Sequence, residues 1–253
     1  MKNTLISFNH YYDDDRITNQ ENLSFFIKNG LIEDENIDYN FIISSGNRGG
    51  DDIPTKDNVS VLRTENEGYD FGAWGKSLES VNIKNYNNFI FINDTCRGPF
   101  APSYINNKIN WVEMFLGSLS EEIKLVGPTW NTTCDNPHYV KSLPQNHIQT
   151  YCFGTDLAAL EILIENKIFS TNNQSKQAII MNHEVRASQV LRENGFKIQP
   201  FQLSQFLEKE HGDIVYDNGY FGATLNPIEV MFIKTNRIYD QTVKNYTKWL
   251  MNS

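Results

Sequence analysis

The chain is short of cysteine, of basic runs and of long apolar stretches, and each shortage removes a class of function. Its three cysteines, Cys96, Cys134 and Cys152, are widely spaced and odd in number. They make neither a disulfide framework nor a zinc pattern, which points to a reducing compartment and a cytoplasmic location. Ahead of His10 and the Asp13-Asp14-Asp15 run, only Leu5, Ile6 and Phe8 are apolar, too little for a signal-peptide core. No apolar stretch approaches the ~20 residues of a membrane span. With a net charge of −9 and no Lys/Arg-rich run, a nucleic-acid groove is not expected. The Asn131-Thr132-Thr133 sequon is of a kind that an Asn-rich chain produces by chance. Gly-X-Gly-X-X-Gly, the P-loop and Gly-X-Ser-X-Gly are all missing, which argues against dinucleotide enzymes, P-loop NTPases and serine hydrolases. There is no repeat, low-complexity tract or Gly/Ser linker, so a single domain over residues 1–253 is expected.

What is present is enough to build a core: 40% of the residues are hydrophobic and 13% aromatic. Thr4 to Phe8, Tyr39 to Ser45, Val59 to Arg63 and Phe89 to Ile92 read as strands, the last fully apolar and therefore central. Helical spacing marks Asn19 to Asn29, Phe71 to Leu78, Trp111 to Leu119, Leu157 to Asn166, Glu184 to Asn194 and Gln241 to Met251. Gly195 suits a helix C-terminus. Lys124 to Pro128 and His147 to Thr155 read as further strands, and Asn131 to Gln145, with Pro137 and Pro144, as a loop. Strands alternating with helices predict an α/β fold with a mostly parallel, doubly wound central sheet flanked by helices. The more regular half, up to about residue 100, is expected to hold the nucleotide. The less regular half spans 101–253.

Two polar, glycine-bearing loops follow strands. Asn66-Glu67-Gly68-Tyr69-Asp70 follows the third; its glycine lets backbone approach a ligand, while Asn and Asp can bind a base or ribose. The competing reading is a strand-to-helix turn with Asp70 as N-cap. Asn93-Asp94-Thr95 follows the fourth strand; a carboxylate beside a second oxygen ligand suits Mg²⁺ or Mn²⁺ on a diphosphate, and an Asx-turn is the alternative. Glu184 is placed at a helix start, as a general base or as a dipole-favoured first-turn acid. Lys234 and Arg237, one turn apart if helical, suit a diphosphate clamp or a solvated cationic face. His147 is a substrate contact or a structural histidine. Tyr216, Tyr220 and Phe221 line a sugar face or simply pack.

Together these motifs resemble a glycosyltransferase family, the group related to rhamnan-synthesis protein F, which also includes glycosyltransferase domains of large algal viruses. Its hallmark Asn-X-Gly-X-Asp-X-Gly-Ala-Trp is matched by Asn66, Gly68, Asp70, Gly72, Ala73 and Trp74. Its strand ending in Asn-Asp-Ser/Thr with Gly-Pro after it is matched by Asn93, Asp94, Thr95, Gly98 and Pro99. Softer matches are Glu184 with Ser188, and Pro227, Glu229, Phe232, Lys234 and Arg237. The resemblance implies a GT-A-like, Rossmann-like fold, a nucleotide-sugar donor (UDP-linked) and a glycan acceptor. It implies that Ser7, Asn9, Asn47, Asn66, Asp70 and Asn93 hold the nucleotide. Lys234 and Arg237 would hold its diphosphate, Asp94 would bind Mn²⁺ or Mg²⁺, and Glu184 would act as the base. The chain departs from the common Asp-X-Asp form, because Asn93 and Thr95 flank a single acid. The last histidine, His211, precedes the late motif. A module of the same fold that binds nucleotide or carbohydrate without catalysis is the alternative function.

Overall fold

The computed structural model describes residues 2–102, 104, 109–131, 146–170, 175–202 and 224–252. The chain begins with β1 (Lys2–His10), α1 (Ile17–Gly30), β2 (Ile37–Ile43), β3 (Val59–Arg63), α2 (Tyr69–Glu79) and β4 (Tyr86–Asn93). Then come the short β5 (Cys96–Arg97), α3 (Trp111–Leu116), β6 (Ile123–Gly127), β7 (Trp130–Asn131), β8 (His147–Ile148), β9 (Cys152–Asp156) and α4 (Leu157–Glu165). The last part holds α5 (Lys176–Ile179), a π-helical turn over Ile180–Val185, and α6 (Arg186–Glu193). After these come β10 (Lys197–Pro200), α7 (Pro227–Val230), β11 (Ile233–Lys234) and α8 (Gln241–Asn252).

Seven strands form the main sheet in the order β10-β6-β9-β4-β1-β2-β3. β9 runs antiparallel to both its neighbours, and the other pairs are parallel. The expected α/β class and mostly parallel, helix-flanked sheet are therefore what the structure shows. Period-two alternation sorts the strand side chains between two cores. Leu5, Phe89 and Phe91 face Trp74, Leu160 and Leu191 on one side. Ile6, Phe8, Ile90 and Ile92 face Leu23, Phe26, Trp111 and Phe115 on the other.

Three local expectations are revised. The run His147 to Thr155 is two strands, not one. β8 pairs with β7 in a small sheet, and β9 enters the main sheet after a turn. The helix carrying Glu184 starts at Lys176, so Glu184 lies inside it and not in its first turn. The stretch around Lys234 is helical only over Pro227–Val230; Met231 adopts φ 63° and ends the turn, and Ile233 and Lys234 pair with Arg97 and Cys96. Cys134, Pro137, Pro144, His211, Tyr216, Tyr220, Phe221 and Thr132-Thr133 lie outside the described residues. Among the described residues, no helix is long and apolar enough to cross a membrane.

Candidate active site

The chain winds out from β1 through β2 to β3, then returns to place β4 on the other side of β1. A crevice opens where strand order reverses in this way, at the carboxyl ends of the two strands. Asn9 and Asn93 are direct register partners there. Both turn their amides onto one carboxylate. Asn9 Nδ2 donates to Asp70 Oδ1 at 2.7 Å, and Asn93 Nδ2 donates to Asp70 Oδ2 at 2.8 Å. Asp70 reaches them because Gly68 and Tyr69 both take left-handed backbone (φ 74° and 53°) just before the helix turns. Gly68 fits that conformation without cost, while Tyr69 is strained in it. Asp70 is thus not the N-cap of α2; Gly68 is, with no side-chain cap. Burial pushes the Asp70 carboxyl up to about 6, the two amides oppose that rise, and the charge of Asp94 adds to it.

Asp70 and Asn93 stand on the wall of a cavity of about 480 Å³ that Glu184, His147, Thr150, Lys234 and Arg237 also line. Glu184 sits on the π-helical turn, a rare element that recurs at functional sites. Its carboxylate accepts a hydrogen bond from Thr150 Oγ1 at 3.0 Å and lies 3.6 Å from His147 Nε2. Burial acts to raise the Glu184 pKa. The contact with His147, the charge of Lys234 and the Thr150 hydroxyl outweigh it and hold the carboxyl below its ordinary value. Lys234 lies on β11 with its ammonium 5.6 Å from the centre of the Tyr151 ring. Burial is the main cause that lowers its pKa; nearby Arg237 adds to the fall, and Glu184 and Asp70 oppose it.

Six sequence candidates therefore share one pocket: Asp70, Asn93, His147, Glu184, Lys234 and Arg237, with Asn9 bonded to the first. Others do not reach it. Ser7 is 1% exposed and its hydroxyl pairs with Ser77 Oγ at 2.9 Å; it shares a strand face with Asn9 but lies two residues before it, under α2 and short of the strand end. Asn47 and Asn66 are exposed turn residues that do not line the cavity. Asp94, expected as the metal ligand, is 5% exposed and turned inward. Its Oδ2 takes the Tyr11 N–H at 2.9 Å and pairs with His10 Nδ1 at 2.8 Å, and its Oδ1 accepts from Asn19 Nδ2 at 2.9 Å. Asn93 Oδ1, the neighbouring oxygen, is occupied by Thr95 N and Oγ1 at 3.1 and 2.6 Å, so the Asx-turn forms. Among the described residues, no three His, Cys, Asp or Glu side chains form a group that holds a metal. This donor set does not fit a divalent ion at Asp94.

Thr150 and Tyr151 were not singled out by sequence. Tyr151 is buried, and its hydroxyl meets Thr129 Oγ1 at 2.9 Å, fixing the floor beneath Lys234. The only sequence signal for either was proximity to His147. A second cavity, of about 650 Å³, lies between α1, α8 and the turn at Gly49–Asp52, and of the candidates above it holds none.

A model of the family described as rhamnan synthesis protein F matches residues 52–253. A search of curated proteins gave no match. Among solved structures, the chain is similar to a glycosyltransferase involved in the glycosylation of the major capsid of PBCV-1. The two share 12% identity over 98% of this chain and 99% of that one, with a TM-score of 0.48. It is also similar to a mannosyltransferase from Pyrobaculum calidifontis solved with GDP-Man and Mn²⁺. That match has 9% identity over 77% of this chain and 54% of that one, with a TM-score of 0.45. A third likeness is to the 4-diphosphocytidyl-2C-methyl-D-erythritol synthase of Anaerococcus prevotii, at 12% identity over 99% and 96% of the chains, with a TM-score of 0.44. The family match takes in most of the chain, all of α2, β4, the Glu184 helix and β11 included, and on it the chain belongs to the rhamnan synthesis protein F family.

Proposed function

We propose that this chain is a glycosyltransferase that moves a sugar from a nucleotide-sugar donor, UDP-linked, to a hydroxyl group of a glycan acceptor. The observation that carries the reading is one pocket lined by the carboxylate of Glu184, by two cations, Lys234 and Arg237, and by Asp70 and Asn93, with Asn9 bonded to Asp70 at the strand crossover. Family membership supports it.

The chemistry follows from these groups. Nucleotide-sugar transfer breaks the bond between the anomeric carbon and the diphosphate and forms one to the acceptor oxygen. Lys234 and Arg237 balance the charge that builds on the departing diphosphate, inside a cavity where such pairing is stronger than in bulk water. In an inverting transfer Glu184 takes the acceptor proton; its lowered pKa keeps it ionised and able to accept one. In a retaining transfer the same carboxylate positions the acceptor. Asp70, with both amides fixed on it, orients donor hydroxyls.

Glu184→Gln tests the assignment. Turnover should fall by roughly 10²–10⁴-fold, the usual worth of a general base, while UDP affinity measured by calorimetry stays as in the parent. Loss of UDP binding instead would contradict the base role. A parent chain that binds UDP yet neither transfers nor hydrolyses any UDP-sugar would make it a binding module.

A further inference from the structure

Resting on the donor reading above, we infer that this chain holds the diphosphate of its donor with Lys234 and Arg237 and without a divalent cation.

Three observations lead there. The first is the orientation of the acid. Asp94 follows the strand in the place of a metal ligand, yet it is absent from the cavity wall, while its neighbours Asn93 and Thr95 are on it. Its carboxylate closes an internal network with His10, Tyr11 and Asn19, and its backbone carbonyl accepts from Asn22 Nδ2 at 2.8 Å. Turning it outward would strand several buried polar groups at once, a larger penalty than one lost bond.

The second is the state of the remaining acid. Asp70 lines the cavity, but each of its oxygens already accepts an amide N–H, and Asn93 has its oxygen occupied by Thr95 and its Nδ2 turned onto Asp70. A metal site needs converging oxygens with open lone pairs. With Asp94 turned away, the loop after β4 brings no second carboxylate to the crevice, while Lys234 and Arg237 on its wall suit an anion.

The third is where the cations come from. Lys234 is not on a free surface helix. Backbone pairing sets it opposite Cys96, two residues past Asp94, and Thr235 N donates to Thr95 O at 3.0 Å. The late segment is thereby laced to the very loop that would otherwise carry the metal. It brings Lys234 and Arg237, two positive charges, into the pocket that Asn93 and Thr95 line. Two cations match the charge of one divalent ion, and adding the ion beside them would set like charges together in a confined space.

Calorimetry of UDP binding to the full chain tests this, once after exhaustive EDTA treatment and once with saturating MnCl₂. The expected result is the same Kd in both, within about twofold. Lys234→Met should weaken UDP by about tenfold or more in both buffers, the worth of one charge-assisted hydrogen bond. Lys234→Arg should restore most of it, and circular dichroism melting should show both variants folded. The comparison of buffers on the parent chain needs no variant. Binding that appears only with Mn²⁺, or an Mn²⁺-dependent gain that Asp94→Asn removes, overturns the inference and leaves the donor reading standing. Absence of UDP binding in both buffers overturns the donor reading itself, and this inference with it.

Discussion

Two carboxylates share the pocket and are driven in opposite directions. Asp70 is raised to about 6, chiefly by burial, and Glu184 is lowered because His147, Lys234 and Thr150 outweigh its burial. Pairs pushed apart in this way are how one site keeps one acid protonated and another ionised. For Asp70 the sign is definite. Its folded pKa lies above the ordinary 3.8, so the unfolded chain gives up the proton first. Stability from this group is whole below about pH 4, falls between about pH 4 and 6, and stays reduced above; the change is at most about 3 kcal/mol. Asp70→Asn removes that titration. The urea-midpoint difference between variant and parent should move in favour of the variant across pH 4–6 and level off above; a difference flat in pH would refute the burial account. For Glu184 the neighbour to remove is His147. His147→Gln takes away a cause that holds the acid down, so the acid limb of the kcat/KM profile should move to higher pH. An unmoved limb with lowered stability would reduce His147 to a packing residue.

The element that carries Asp70 shows why its motif reads as it does. A Cβ on Gly72 would sit 1.8 Å from the carbonyl oxygen of Glu67, and one on Gly75 would sit 2.6 Å from that of Phe169. Both obstacles are backbone, so α2 could dock only by shifting. Gly72→Ala should cost at least about 1–3 kcal/mol, the usual range for overpacking, and lower Tm by several degrees. A variant as stable as the parent would mean that the turn before α2 yields freely. This tight approach was visible in sequence only as a pair of glycines. The strands were legible from their apolar runs, and α1, α2, α4 and α8 from helical spacing, because burial against a single sheet imposes one period per element. The Glu184 helix was cut short because its π-helical turn inserts a residue and breaks the 3.6-residue period at Ile180–Val185. The Lys234 segment misled for another reason. Val230-Met231-Phe232-Ile233 is apolar enough for either helix or strand, and what decides is pairing with Arg97, more than a hundred residues away. For Asp94, the position at a strand end is visible in sequence, and the side to which its carboxylate turns is not.

At the scale of the molecule, the late segment is not an appendage to the sheet but part of the pocket, and one buried cation joins them. Arg97 is 1% exposed. Its Nε donates to Asn22 Oδ1 at 2.8 Å, Nη1 to the Tyr239 hydroxyl at 2.7 Å and to Thr247 Oγ1 at 3.3 Å, and Nη2 to Glu21 Oε2 at 3.0 Å. Those partners lie on α1, on α8 and on the segment between β11 and α8. Asn22, its orientation fixed by Arg97, uses its amide to hold the Asp94 carbonyl and Thr235 Oγ1, each at 2.8 Å. The chain of contacts thus runs from α8 to the residue after Lys234. Arg97→Met keeps the length of the stem and removes the fork. It leaves Asn22 Oδ1 buried without its donor and frees α8 on one side, at a cost of about 3 kcal/mol or more. Loss of docking should be local before it is global, because β1 and β4 keep their ladder and both cores. Hydrogen exchange should therefore show protection falling first over Ile233–Asn252, with the β1 and β4 amides still protected, and UDP affinity should fall in step as Lys234 loses its anchor. Uniform loss of protection, or full protection with unchanged UDP binding, would show that Arg97 is not the link between the C-terminal helix and the pocket.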